Sequence, residues 1–531
     1  MMRLRTVLIA TTVVLLTCGA MVGLYVGVLS HADMLRPQLA GDVPSQRRSI
    51  IAMDSARAAL ATALATANQP GELPARAPTL AAAPATVPSV APPPAPSRSL
   101  PDTNATASIT AAPTDIADVP PSVVAMAYKP RRGAKADPDR TTRGIAVLHL
   151  GDSHTAADFL TGELRRQLQA TYGNGGAGYV TAGKPRDVLS QALKINASAG
   201  WTYKALQRSE DIGEFWMSGF NTVASAANET LSFASEQALT FDVIEIEAVR
   251  RPGGGAIDIR LDGALEGSFD LNGPKVEPIV IRLVPDRGPT DRVREVTLTT
   301  RNTGVVSISS VAILNTRAGL TYSSAGYPGA TIDILNQLDT KLFAAGLRRL
   351  DPQIVVLSFG TNEASKENLD IAGYTKSYEK VLSKIRDALP DAKIVLIGPP
   401  EAEEPPEKCR DYKDKEKDAK ARASEECKRI LAAAGAGTED CPWPTLPKLD
   451  AVREAQRKIA ERGGLVYWNW ASIMPKECGA HRWLTQSPPL MAKDHVHFTI
   501  AGYKKSAAAF LTTLVPVIEK LRSRTNAVSN N

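Results

Sequence analysis

The sequence predicts an α/β protein with a parallel sheet covered on both faces, interrupted by an all-β sandwich and preceded by a transmembrane helix and a disordered linker. Three observations predict it. Short apolar runs ending at glycine alternate with helical patterns, a central stretch at about 200–317 switches to period-two alternation, and the first 135 residues show neither beyond one long apolar run. At 531 residues the chain exceeds what one hydrophobic core organises, so more than one globular unit is expected.

After Arg3 and Arg5, residues 7–30 carry no charge, long enough to cross a bilayer as a helix and longer than the apolar core of a cleaved signal peptide. The two arginines precede the span and almost nothing basic follows until Arg36. The positive-inside bias therefore predicts a retained single-pass anchor in the inner membrane, with the remainder of the chain in the periplasm. Residues 31–135 are rich in Ala, Pro, Thr and Ser, as in Ala91-Pro92-Pro93-Pro94. Such a segment buries too little apolar surface to offset its ordering entropy and reads as a semi-extended spacer.

Folded structure is expected from about residue 144. Ile145-Ala146-Val147-Leu148-His149-Leu150 runs into Gly151, Ile354-Val355-Val356-Leu357-Ser358-Phe359 into Gly360, and Lys393-Ile394-Val395-Leu396-Ile397 into Gly398, while Leu465-Val466-Tyr467-Trp468 follows a Gly-Gly pair. Helical patterns at about 156–168, 332–347, 374–389 and 448–462 lie between them. Buried strands alternating with helices indicate the parallel sheet, assigned to about 144–199 and 318–521. Between these parts, Phe241-Asp242-Val243-Ile244-Glu245-Ile246-Glu247 and Ala256-Ile257-Asp258-Ile259-Arg260-Leu261 alternate as half-buried antiparallel strands do, so 200–317 is expected to be the sandwich.

A second, smaller insertion at about 401–448 carries a charge run, which reads as a solvated face, and three cysteines. Cys18 lies inside the apolar span, which leaves Cys409, Cys427, Cys441 and Cys478 as an even set in a compartment where disulfides persist. Two structural bridges are expected, with all three pairings open. No pair has the close spacing of a zinc knuckle, so a metal site is the weaker explanation of these cysteines, and the acyl-transfer chemistry expected below requires no cofactor. Lys and Arg total 62 against 56 Asp and Glu, with no basic stripe interleaved with aromatic residues, which argues against nucleic acid as a partner.

Ester hydrolysis needs an oxygen nucleophile, a base to take its proton, a group to orient that base, and donors for the oxyanion. Gly151-Asp152-Ser153-His154-Thr155 lies where strand gives way to helix, at the carboxyl edge of the sheet where open α/β proteins place ligands. Gly360-Thr361-Asn362 ends another such strand, and Asp494-His495-Val496-His497-Phe498 puts an aspartate three residues before a histidine.

Together these stretches resemble the SGNH hydrolase family, also called GDSL esterases: Gly151-Asp152-Ser153 is similar to its first block, Gly360-Thr361-Asn362 to its third and Asp494 to His497 to its fifth. Gly329, within Gly326-Tyr327-Pro328-Gly329-Ala330-Thr331, matches the glycine of the second block. The resemblance implies a three-layer α/β/α fold. It also implies Ser153 as nucleophile, His497 as base, Asp494 as its orienting group, and the Ser153 and Gly329 amides with the Asn362 side chain as the oxyanion hole. His154 stands where the common motif has leucine, as in the branch that includes peptidoglycan O-acetylesterases, which carries a carbohydrate-binding-like β module between the first and second blocks. His154 and His495 themselves read as structural or substrate-facing.

The function expected is removal of O-acetyl groups from an acetylated envelope polysaccharide, possibly peptidoglycan. A polysaccharide O-acetyltransferase with the same triad and a non-catalytic glycan-binding protein are the alternatives.

Overall fold

A computed structural model of the chain describes residues 125–127, 144–406 with breaks at 211, 240, 285–292 and 317–318, then 441 and 443–529. All of these fall within one compact unit, Ala83–Asn531. The anchor expected at 7–30, the spacer, Cys409 and Cys427 lie outside the described residues. Among the described residues, no helix is long and apolar enough to cross a membrane.

Five strands make a wholly parallel sheet: β1 (Ile145–Gly151), β2 (Leu320–Gly326), β3 (Ile354–Ser358), β4 (Lys393–Gly398) and β5 (Val466–Asn469), in the order β2-β1-β3-β4-β5. The alternating side chains of these strands feed two cores, as a doubly covered sheet requires. Leu148, Leu150, Val355, Leu357, Ile394 and Leu396 pack with α2 (Thr340–Leu350), α3 (Ile371–Ala388) and α4 (Leu449–Gly463), leaving α1 (Phe159–Tyr172) and α5 (Ile500–Ser529) for the other face. There Val147, Ile354, Val356, Val395 and Ile397 meet Leu160, Leu164 and Leu168 of α1 and Phe510, Leu514 and Ile518 of α5.

β2 is the strand that hydrophobic patterning does not announce, because Thr321, Ser323 and Ser324 interrupt it. Its buried polar groups find partners on segments distant in sequence. Thr321 Oγ1 donates to the Gly175 carbonyl at 2.7 Å, Ser323 Oγ accepts from the Tyr179 amide at 3.0 Å, and the Tyr322 hydroxyl lies 2.9 Å from His149 Nδ1 on β1.

Two further sheets occupy the chain between β1 and β2. One joins Glu277–Leu283, Val243–Arg250, Val306–Leu314, Phe220–Ala224 and Thr202–Ala205 by antiparallel pairs, with Gly178–Thr181 added beside Val306–Leu314 and Ala125–Ala127 parallel to Glu277–Leu283. The other orders Ala264–Asp270, Ala256–Leu261, Val293–Thr300, Thr230–Leu239 and Lys194–Ala197, all antiparallel. Ile244, Ile246 and Ile281 of the first sheet share one core with Phe233, Ile259, Val296 and Leu298 of the second. Between β1 and β2, strands thus enter these sheets from Gly178 onward, earlier than residue 200. The glycines at 173, 175, 176 and 178 break the alternation that would have marked the start.

Buried charge ties α2 to the first of these antiparallel sheets. Arg349, in the last turn of α2, donates to both Glu245 and Glu247 on Val243–Arg250, and Glu247 also accepts from the hydroxyls of Tyr179 at 2.7 Å and Ser310 at 2.6 Å. Cys441 and Cys478 are joined as a disulfide, with their Cα atoms 5.2 Å apart.

Candidate active site

Ser153 opens a single helical turn, Ser153–Ala156, directly after β1. Asp152 caps that turn, its Oδ1 accepting the His154 amide at 3.0 Å, and its own amide donates to the Ser358 carbonyl of β3 at 3.1 Å. The preceding position has to be glycine. A Cβ on Gly151 would stand 2.2 Å from Thr155 Oγ1 and 2.6 Å from the Ser358 carbonyl. The sharp turn therefore lifts Ser153 to the carboxyl edge of the sheet.

The segment before α5 reaches the same edge. Asp494 Oδ1 accepts the amides of Val496 at 3.0 Å and His497 at 2.9 Å, a local turn of the kind aspartate favours. Its other oxygen lies 2.7 Å from His497 Nδ1, and His497 Nε2 lies 2.8 Å from Ser153 Oγ. The structure thus brings Ser153, His497 and Asp494 into one hydrogen-bonded line. Burial pushes the Asp494 carboxyl upward, but the His497 ring and the two amides outweigh it and hold its pKa at about 2. In return the Asp494 hydrogen bond raises His497 above the ordinary histidine value against a partly buried setting, helped by the charges of Asp494, Asp152 and Asp187.

Asn362 lies in the short helix Thr361–Ala364 that follows β3, and its Nδ2 donates to the Ala330 carbonyl at 2.9 Å. That bond uses one of the two amide hydrogens and fixes the side chain against the loop carrying Gly329. Gly329 is exposed with φ +71°, a left-handed conformation that glycine adopts without strain.

Glu363, beside Asn362, carries no signal that sequence reasoning uses. It is buried, and its Oε1 accepts the Ile332 amide at 2.8 Å, so Asn362 and Glu363 together fasten the 329–332 loop to the end of β3. Burial raises its carboxyl to about 7 against the pull of the Ile332 amide, and raises Asp152 to about 7 against the His154 amide and the His497 charge.

His154 is fully buried. Its Nδ1 lies 3.0 Å from the Tyr503 hydroxyl, and its ring centre is 5.3 Å from that of His497. Burial first, and the neighbouring His497 charge second, lower its pKa to about 3. A neutral ring at this distance leaves a protonated His497 free of like-charge repulsion. Among the described residues, no group of three or more His, Cys, Asp or Glu side chains is arranged to hold a metal.

An amide whose geometry is set this way is expected to matter for turnover rather than for substrate capture. Asn362→Ala should lower kcat by about 10²- to 10³-fold with KM within a few-fold, measured on a chromogenic acetyl ester. A loss confined to KM would speak against the oxyanion role expected of Asn362.

Residues 309–505 match the GDSL-like Lipase/Acylhydrolase family. The match begins after the antiparallel sheets have started and leaves out the Ser153 segment, which the fold returns to the matched part through β1. Among solved structures, a peptidoglycan O-acetylesterase is similar over 71% of this chain and 93% of its own, with 24% identity and a TM-score of 0.56, a likeness of fold. A family two carbohydrate esterase from Clostridium thermocellum in complex with cellohexaose covers 61% of this chain and 99% of its own at 12% identity and TM-score 0.23. A GDSL-like lipase from Bacteroides thetaiotaomicron covers 38% and 76% at 19% identity and TM-score 0.24. No curated protein matches the chain significantly. The family likeness thus lies over residues 309–505, the part of the chain that supplies Gly329, Asn362, Asp494 and His497.

Proposed function

We propose that the protein removes O-acetyl groups from a cell-envelope polysaccharide, with peptidoglycan the foremost candidate, through an acetyl-Ser153 intermediate. The observation that carries this reading is the unbroken line from Asp494 through His497 to Ser153 at the carboxyl edge of the sheet. In this mechanism Ser153 Oγ bonds to the acetyl carbon as His497 Nε2 takes its proton, and the carbonyl electron pair moves onto oxygen. The Ser153 and Gly329 amides and Asn362 receive that oxyanion. Collapse breaks the ester C–O bond, and His497 returns the proton to the departing sugar hydroxyl. A water molecule then repeats the sequence, its proton going to His497 and finally to Ser153 Oγ as acetate leaves. Asp494 stays ionised throughout, holding the imidazole tautomer that presents Nε2 as the acceptor.

The choice of substrate is supported by the shared fold with a peptidoglycan O-acetylesterase. The uncharged run at 7–30 and the Ala- and Pro-rich spacer that follows support a membrane-tethered enzyme working in the periplasm, where such a polymer lies.

Acetate release from O-acetylated peptidoglycan by the full-length protein tests the reading. We expect release to rise with pH through a value above that of ordinary histidine, because the base must be neutral and Asp494 raises its pKa. Asp494→Asn should move that limb downward and cut the rate by about 10⁴-fold. Release from other acetylated glycans but not from peptidoglycan would reassign the substrate. Acetylated product that forms only when a sugar acceptor is added would make the enzyme a transferase.

A further inference from the structure

His495 has no place in the mechanism above, yet it is more tightly held than the residues that do. It is buried with φ +57°, a left-handed conformation that costs a non-glycine residue energy and persists only where its surroundings impose it. Its Nδ1 lies 2.7 Å from Glu403 Oε2, and its carbonyl accepts the Glu403 amide at 3.0 Å, so one residue grips both its ring and its backbone. Glu403 is itself buried, and its other carboxylate oxygen accepts the His481 amide at 3.2 Å. On the flat side of the imidazole lies the Trp443 indole, 4.0 Å between centres and 10° from parallel. Trp443 is two residues from Cys441, whose disulfide partner Cys478 precedes the Gly479–Leu484 helix that carries His481. Three separate segments therefore close on one side chain.

A buried carboxylate and imidazole are a poor choice for simply filling space, since both must be desolvated and an apolar pair of the same volume packs at no such cost. What the pair does supply is direction. His495 directly follows Asp494, and fixing its backbone fixes the turn in which Asp494 Oδ1 takes the Val496 and His497 amides while Oδ2 meets His497 Nδ1. Asp494 and His497 are themselves partly exposed, with 52% and 39% of their side chains open to solvent, so the rigidity of this turn has to come from beneath. We propose that Glu403, acting through His495 and clamped by Trp443, is a positioning residue that sets the alignment of Asp494 and His497 with Ser153. This rests on the triad reading above.

The test uses full-length protein and a chromogenic acetyl ester. Glu403→Ala is expected to lower kcat by about 10- to 100-fold with KM within about twofold, the penalty of a misaligned base. Glu403→Gln, whose amide oxygen still accepts from His495 Nδ1–H, should retain kcat to within about fivefold. Trp443→Ala should give a smaller loss in kcat, again without a change in KM, and it carries the test together with Glu403→Gln if the alanine variant at 403 does not fold. A downfield proton resonance from the His497–Asp494 hydrogen bond should shift or broaden in Glu403→Ala while the denaturation midpoint reports stability separately. A folded Glu403→Ala with wild-type kcat, or a kcat loss with that resonance unmoved, overturns the proposal and leaves the triad reading standing. Failure of the triad reading looks different, because wild-type protein would then form no Ser153 adduct with a serine-directed inhibitor.

Discussion

Replacing Ser153 with alanine is expected to lower kcat for acetyl ester hydrolysis by about 10⁴- to 10⁶-fold, with KM close to wild type, because the attacking oxygen is removed while the binding surface is kept. His497→Ala should cost about as much, and the double variant little more than either, since residues that act as one unit are not additive. The 2.8 Å contact between His497 Nε2 and Ser153 Oγ is what makes the two losses one loss. Steady-state rates together with intact-mass detection of a serine-directed adduct measure both. An adduct that persists in Ser153→Ala, or single-variant losses that multiply in the double variant, would show that the nucleophile lies elsewhere.

The second large effect concerns stability. Arg349 lies 14% exposed between Glu245 and Glu247, which are 7% and 0% exposed at their side chains, with its guanidinium carbon 5.8 Å over the Trp216 ring. Arg349→Ala leaves two buried carboxylates without their shared cation and should cost about 3–5 kcal/mol in the urea unfolding free energy. Burial already raises the Glu247 carboxyl, with the Arg349 charge as the main force pulling it down, so the variant should protonate Glu247 more readily. Because the carboxyl is raised in the folded state, lowering the pH relieves the buried charge. The deficit of Arg349→Ala should therefore be smaller at about pH 5 than at about pH 8. A deficit under about 1 kcal/mol at both pH values would mean that water reaches these carboxylates.

How much of this was legible in the sequence depended on whether a residue's job shows in its local pattern. β1, β3 and β4 are near-continuous apolar runs, as strands buried on both faces must be, and β5 is a short apolar run at the sheet edge, so all four stand out. β2 does not, because its Thr and Ser side chains find partners on Gly175 and Tyr179 that no window around residue 320 contains. The helix expected at about 332–347 proved to be two, Ile334–Gln337 and Thr340–Leu350, since Asp339 caps the second through the Leu342 amide. Ser153, Asp494 and His497 were legible as motifs in order along the chain, and Gly329 and Asn362 by their likeness to the family's blocks. Glu363, Glu403 and Trp443 were not. Their importance arises only from what the fold presses against them, and in sequence they are ordinary charges and one tryptophan in a loop.

The way the insertion begins and ends also bears on how the sheet is assembled. Ile145 of β1 pairs with Leu320 of β2, so the nucleophile strand must find a neighbour made much later in synthesis. Unaided, closing so long a loop would be slow and entropically unfavourable. The intervening chain shortens the search by tying its own ends: Gly178–Thr181 lies antiparallel to Val306–Leu314, with Ser310 opposite Thr181 and Ile313 opposite Gly178. That pairing holds the two ends of the intervening chain close to where β1 and β2 lie side by side. Substitutions that loosen this pairing are therefore expected to disturb the seating of Ser153 even though they touch no reacting atom.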